Sequence, residues 1–326
     1  MAMAEARRLA LMIGATGAVG SDVARALRAR GWQVRALARN PSAAAEREPG
    51  FDWIGGDAMD RAAVVAAAGD ADIIFHAANP PLYRNWRGLA LPMLANAVAA
   101  AEASGARLIF PGNIYNFGPD AWPFVAETAP QRPTTRKGAV RVEMETMLHE
   151  AGQRGVRSLV VRAGDFFGPS AVNSWLAKVI APAGKPPTRV VYPGPLEVGH
   201  AWAYLPDLAE TTARLAEIET ELPTTAVLHF GGHWVTGAEL VEAVRQVTDN
   251  PRLPARQFPW WLVGMAAPFV PFLSELWEMR YLWRHPVKLD NAKLVAVLGE
   301  EPQTPLITAI QNTLGAHGCL ARDRLE

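Results

Sequence analysis

Three glycines in the run Gly14-Ala15-Thr16-Gly17-Ala18-Val19-Gly20 are spaced to hold a phosphate. Glycine tolerates a tight turn and puts no side chain between the backbone and a ligand. Between a strand and a helix, such a turn brings a pyrophosphate to the N–H groups at the positive end of the helix dipole. The apolar run Leu9 to Ile13 precedes these glycines and the helix-like stretch Ser21 to Arg30 follows them. That context makes Gly14, Thr16, Gly17, Ala18, Val19 and Gly20 the expected cradle of a dinucleotide. The next apolar run, Trp32 to Ala38, ends in Arg39-Asn40. A site for NAD(H) places an acidic side chain there, to accept from the ribose 2′-hydroxyl. No Asp or Glu stands at this strand end, whereas the Arg39 guanidinium suits a 2′-phosphate, so the expected cofactor is NADP(H) in preference to NAD(H). Arg35 is the lesser candidate, because an odd spacing from Ala38 turns it to the other face of the strand.

The elements that would carry this chemistry follow from periodicity. Leu9 to Ile13, Trp32 to Ala38, Phe51 to Ile54, Asp72 to Ala77, Arg107 to Phe110 and Ser158 to Val161 read as strands. Helix-like stretches at Ser21 to Arg30, Arg61 to Ala68, Gly88 to Ser104 and Ala139 to Ala151 separate them. Strands alternating with helices imply right-handed crossovers, hence an α/β fold: a doubly wound parallel Rossmann sheet with a smaller C-terminal substrate lobe. The expected division is a dinucleotide-binding domain over 1–168 and a region over 169–326 that is mainly substrate lobe, with some segments returning to the sheet. Ligands in such sheets sit beyond the carboxyl ends of the strands.

Composition narrows the partners. The chain has 326 residues with 32 basic and 32 acidic side chains, so there is no electrostatic footprint for nucleic acid. Its single cysteine, Cys319, cannot form an internal disulfide, and the apolar run at Leu9 is too short for a secretory signal, which points to the cytoplasm. The closest histidine pair, His229 and His233, is separated by Phe230-Gly231-Gly232 and has no acidic or cysteine ligand spaced to complete a site, so no metal is expected. His200 is the better functional candidate. The segment Phe258 to Trp283 holds Trp260, Trp261, Trp277 and Trp283, and carries no charge from Phe258 to Leu273. It is shorter than a membrane span and is interrupted by Pro259, Pro268 and Pro271, so no span is expected. A lid over a small-molecule substrate, a contact between two copies in a homodimer, a membrane-surface element and ordinary core all remain open. A lid with an adjoining contact surface is favoured.

With these motifs in place, the chain resembles the extended short-chain dehydrogenase/reductase superfamily, including its epimerase/dehydratase and NmrA-like branches. Besides the glycine turn, Asp57 and Ala58 resemble the family's adenine-contacting site, and Ala77-Ala78-Asn79 resemble its cofactor-lining strand end. The run Ala163-Gly164-Asp165-Phe166 is similar to the loop beside the nicotinamide, and Tyr204-Leu205-Pro206-Asp207 to the turn into the helix that closes the substrate lobe. Catalytic members use a Ser, a Tyr and a Lys four residues after the Tyr. Aligned through Gly118 and Gly138, this chain carries Asn113, Lys137 and Arg141 at those places. Asn113 can still donate to a carbonyl oxygen, and Arg141 can still bind ribose hydroxyls. Lys137, its pKa lowered by Arg141, the nicotinamide charge and burial, or Tyr115 on the Asn113 turn, would then supply the proton. The bland alternative for Lys137 is a solvated residue in a basic run with Arg132 and Arg136. The resemblance thus implies either an NADP(H)-dependent oxidoreductase or epimerase/dehydratase-like enzyme for a small carbonyl or alcohol, or a non-catalytic NADP(H)-binding sensor of the NmrA-like kind.

Overall fold

A computed structural model describes residues 8–80 and 85–320. Leu9–Ile13 (β1), Gln33–Ala38 (β2), Asp52–Gly55 (β3), Ile73–His76 (β4), Arg107–Gly112 (β5), Ser158–Arg162 (β6) and Thr225–His229 (β7) form one sheet in the order β7-β6-β5-β4-β1-β2-β3. Every pairing from β3 across to β6 is parallel. All five residues of β1 are buried, as expected for a strand covered on both faces. The strand order reverses beside β1, which pairs with β2 on one side and β4 on the other. A crevice for a ligand opens at such a point.

The α-helices among the described residues are Ala18–Ala29 (α1), Pro41–Arg47 (α2), Arg61–Ala68 (α3), Trp86–Ser104 (α4), Arg136–Gln153 (α5), Leu205–Glu217 (α6), Gly237–Thr248 (α7), Trp260–Ala266 (α8), Pro271–Glu278 (α9), Ala292–Leu298 (α10) and Leu306–Ala316 (α11). Leu11, Ile13, Ile74, Leu94, Leu108 and Val160 share one apolar core, to which α4 contributes alanines that let it approach closely. Two buried ion pairs fasten this body. Arg107 Nε lies 3.2 Å from Glu219, and Arg162 Nη2 lies 2.7 Å from Glu145.

The chain forms two compact units. The first holds 1–112, 139–162 and 209–228; the second holds 113–138, 163–208 and 229–326. The chain passes from one unit to the other more than once, with 113–138 in the second unit and 139–162 and 209–228 in the first. In the second unit, strand Gly199–Tyr204 pairs in parallel with Asp165–Phe167 and antiparallel with His233–Thr236. Phe167, Tyr192, Trp202, Leu240 and Trp283 build its main core. A smaller cluster joins Ile114 and Phe117 to Met279, Leu282 and Val287.

The tryptophan-rich segment forms α8, α9 and the 3-10 turn Met279–Trp283, all in the second unit. Trp283 is buried, whereas Trp261, Met265 and Phe269 are exposed. No helix among the described residues is long and apolar enough to cross a membrane.

Candidate functional site

The first unit contains a cleft of about 840 Å³ at the reversal point of the sheet. Gly14, Thr16 and Gly17 line it from the β1 turn, and Ala77, Ala78 and Asn79 from the end of β4. Gly14 has φ 101°, a left-handed conformation that favours glycine, and a Cβ there would fall 2.6 Å from Ala78 N. A Cβ on Gly20 would fall 2.2 Å from Gly14 O, so the third glycine lets α1 close onto the turn. Gly17 differs, because a Cβ would meet only Gly14 O at 3.5 Å and the space beyond is open to a ligand. Gly17 also starts α1 without any side-chain cap, so Ala18, Val19 and Gly20 place their first-turn N–H groups where an anion can use them. These are the features of a diphosphate cradle.

Beyond the turn, Arg39, Asn40, Asp57 and Ala58 also line the cleft. The Asn40 side chain accepts from Ala43 N at 3.2 Å and caps α2, and Asp57 accepts from Met59 N at 3.0 Å. Arg39 is exposed and has no ion-pair partner among the described residues. Sequence reasoning missed Arg25, Arg47 and Trp53, which share the cleft wall. Arg25 is held by Asp22 at 2.7 Å and by Glu48, while Arg47 ends α2. The signal for α2 was present as an Asn cap followed by proline and alanines, though such a short helix leaves little periodicity to detect.

Arg141 belongs to the first unit. Its guanidinium donates to Pro111 O at 3.1 Å and lies 5.2 Å from the ring centres of both Trp86 and Phe110. Trp86 Nε1 in turn donates to Asn79 Oδ1 at the cleft wall. His76, fully buried and stacked on Phe110, has its pKa pushed down to about 3, chiefly by desolvation and further by the Arg141 charge. Neutral imidazole is therefore the form that occupies this position.

The remaining candidates stand in the second unit. Asn113 follows β5 directly and caps a short 3-10 turn, accepting from Tyr115 N at 3.0 Å. Thr135 and Lys137 bracket the start of α5. A Cβ on Gly138 would fall 2.2 Å from Tyr115 O, so glycine lets the helix start rest on the Asn113–Tyr115 turn. Lys137 is buried rather than solvated. Its Nζ donates to Glu275 O at 2.6 Å and lies 2.8 Å from Glu275 Oε2 and 3.8 Å from Glu278 Oε2, fastening α9 to the start of α5. Burial pushes the Lys137 pKa down, against the pull of the two carboxylates.

Ala163, Gly164, Asp165 and Phe166 follow β6. A Cβ on Gly164 would fall 2.1 Å from Ala201 O, which explains the glycine. Asp165 Oδ2 lies 2.8 Å from His200 Nε2, and His200 Nδ1 lies 3.2 Å from Leu282 O. The imidazole is stacked on Trp283, with ring centres 4.0 Å apart. Neither His229, bonded to the Val125 carbonyl, nor His233 joins a metal-binding cluster among the described residues.

With this geometry in hand, comparison with known proteins gives three findings. The model of the NAD dependent epimerase/dehydratase family matches residues 10–227. A 3-diazoavenalumate denitrifying reductase from Streptomyces sp is 30% identical over 174 residues, which are 49% of this chain and 56% of that protein. Among solved structures, MoeE5 in complex with UDP-glucose and NAD covers 95% of this chain and 98% of its own at 18% identity and TM-score 0.72. A UDP-glucose-4-epimerase from Stenotrophomonas maltophila with bound NAD and formylated UDP-arabinopyranose covers 96% and 98% at 15% identity and TM-score 0.74.

Proposed function

The chain belongs to the NAD dependent epimerase/dehydratase family, and from that premise we propose that it is a cytoplasmic NADP(H)-dependent oxidoreductase acting on a small carbonyl or alcohol. One observation carries the cofactor preference. Arg39 lines the cleft at the end of β2 without an ion-pair partner among the described residues, where selection of NAD(H) calls for a carboxylate. Arg47 adds a second cation to that wall. The relative named as a reductase supports reduction as the direction, although it matches only about half of each chain.

A reduced nicotinamide, when bound, supplies a hydride. The residues of this chain do the rest. The β1 turn and the α1 N-terminus hold the pyrophosphate, and Arg39 binds the 2′-phosphate by a charge-assisted contact. Arg141, over the Trp86 ring whose indole holds Asn79, is assigned to the ribose hydroxyls. Asn113 donates its amide hydrogen to the substrate oxygen. Lys137 holds α9 in place through Glu275 and Glu278.

Commitment of Lys137 to those carboxylates favours a second reading, a non-catalytic NADP(H)-binding sensor. A panel of aromatic aldehydes and cyclic ketones separates the two. NADPH consumption with any member supports the enzyme, whereas tight NADPH binding with no turnover across the panel supports the sensor.

A further inference from the structure

We propose that Arg25 sets cofactor preference as a positioning residue: by engaging the Glu48 carboxylate it cancels a negative charge on the cleft wall that would otherwise repel a 2′-phosphate. The assignment deepens the NADP(H) reading above and rests on it.

Five charged residues line the cleft, Arg25, Arg39 and Arg47 against Glu48 and Asp57, so its wall carries one net positive charge. A phosphate monoester brings a charge of about −1.5 to −2 at neutral pH. A carboxylate on the same wall repels that group, whereas the 2′-hydroxyl of NAD(H) carries no charge to be repelled. Glu48 is such a carboxylate. It ends α2 directly after Arg47, and the same helix begins beside Arg39 with Asn40 as its cap. The wall segment that offers two cations to a phosphate therefore offers an anion as well.

The backbone of Glu48 is held where it stands. Its carbonyl accepts from Trp53 Nε1 at 2.8 Å, and its N–H donates to Ala44 O at 3.0 Å. Arg25 reaches it from α1. Arg25 Nε donates to Glu48 Oε1 at 2.9 Å, and Nη2 donates to the same oxygen. On its other edge, Nη1 donates to Asp22 Oδ1 at 2.7 Å, one turn back along α1, which keeps the guanidinium turned toward Glu48.

The Arg25 side chain is 48% exposed, so the pair adds little to stability. Its consequence is local charge. Without Arg25 the lining residues balance, Arg39 and Arg47 against Glu48 and Asp57; without Glu48 they carry two net positive charges; without both they return to one. NADPH affinity should follow that order, and NADH affinity should not.

Fluorescence titration of NADPH and NADH against the parent, Arg25→Met, Glu48→Gln and the double variant tests this. Arg25→Met should bind NADPH about tenfold more weakly and Glu48→Gln about threefold more tightly, with the double variant back within about threefold of the parent. NADH affinity should stay within about threefold throughout, and high salt should narrow the NADPH differences. Arg25→Lys keeps the cation and should bind NADPH nearly as the parent does. If Arg25 served only as a mechanical tie between α1 and α2, the double variant would bind NADPH as weakly as Arg25→Met. That result overturns the assignment, as does unchanged NADPH binding by Arg25→Met or equal weakening of both cofactors. In each case a parent that still prefers NADPH, and loses the preference in Arg39→Ala, leaves the NADP(H) reading standing. A parent that binds NADH more tightly overturns that reading and this assignment with it.

Discussion

The two units build their polar sites by different means. In the first, the cleft is shaped by backbone: Gly14, Gly17 and Gly20 set the turn, and the end of β4 closes against it. In the second, the polar groups are side chains from separated segments, with Lys137 meeting Glu275 and Glu278, and Asp165 meeting His200. A backbone-made site needs neighbouring residues and survives many substitutions around it. One made from distant side chains depends on each member, because a buried charge left alone has nothing to replace its lost hydration.

That contrast breaks first, and hardest, at Lys137. Lys137→Met leaves Glu275 and Glu278 with the exposed Arg136 as their remaining cation, at 3.4 Å and 3.8 Å, and loss of one partner from a buried pair costs about 3–5 kcal/mol. Glu275 keeps some solvent contact, which puts the expected loss near the lower end. Urea denaturation should show this loss with NADPH affinity preserved in the folded variant, and an unchanged midpoint would remove the claim that the latch holds α9.

Gly20→Ala probes the opposite kind of site. Its added Cβ would overlap Gly14 O at 2.2 Å, and relief requires the turn to open. Overpacking of this sort costs about 1–3 kcal/mol. NADPH affinity should fall between about fivefold and a hundredfold. Binding equal to that of the parent would show that the turn does not set the cleft.

A smaller effect comes from His76, the buried last residue of β4. The folded-state pKa of His76, about 3, lies below the unfolded value near 6.5. Between those values the unfolded chain binds a proton that the folded chain refuses, so stability is full above pH 6.5 and falls as the pH drops toward 3. By pH 5 the loss is of order 2 kcal/mol. His233 and His317, also lowered by burial, add to it in the same direction. Urea midpoints at pH 7 and pH 5 should converge in His76→Phe, and an identical acid loss in parent and variant would assign the effect elsewhere.

The same difference decides what could be read from the chain alone. The strands β1 to β6 and the glycine turn were legible because each is a local pattern: an apolar run, then glycines, then a helix. Arg39 was legible as the end of such a run. Arg47 was not, since α2 is one short helix whose contribution to the cleft depends on tertiary placement. Lys137 read as a proton-donor candidate or else as part of a basic surface run; its burial was not legible, because its partners lie 138 and more residues onward in α9.

The central claim is selection of NADP(H) by Arg39, and paired titrations with NADPH and NADH on the parent and on Arg39→Ala test it most directly. A charge-assisted bond to phosphate is worth roughly 1.5–3 kcal/mol. The parent should therefore bind NADPH at least about tenfold more tightly than NADH, and Arg39→Ala should lose most of that margin while its NADH affinity changes little. Tighter NADH binding by the parent, or equal weakening of both cofactors in the variant, would contradict the account.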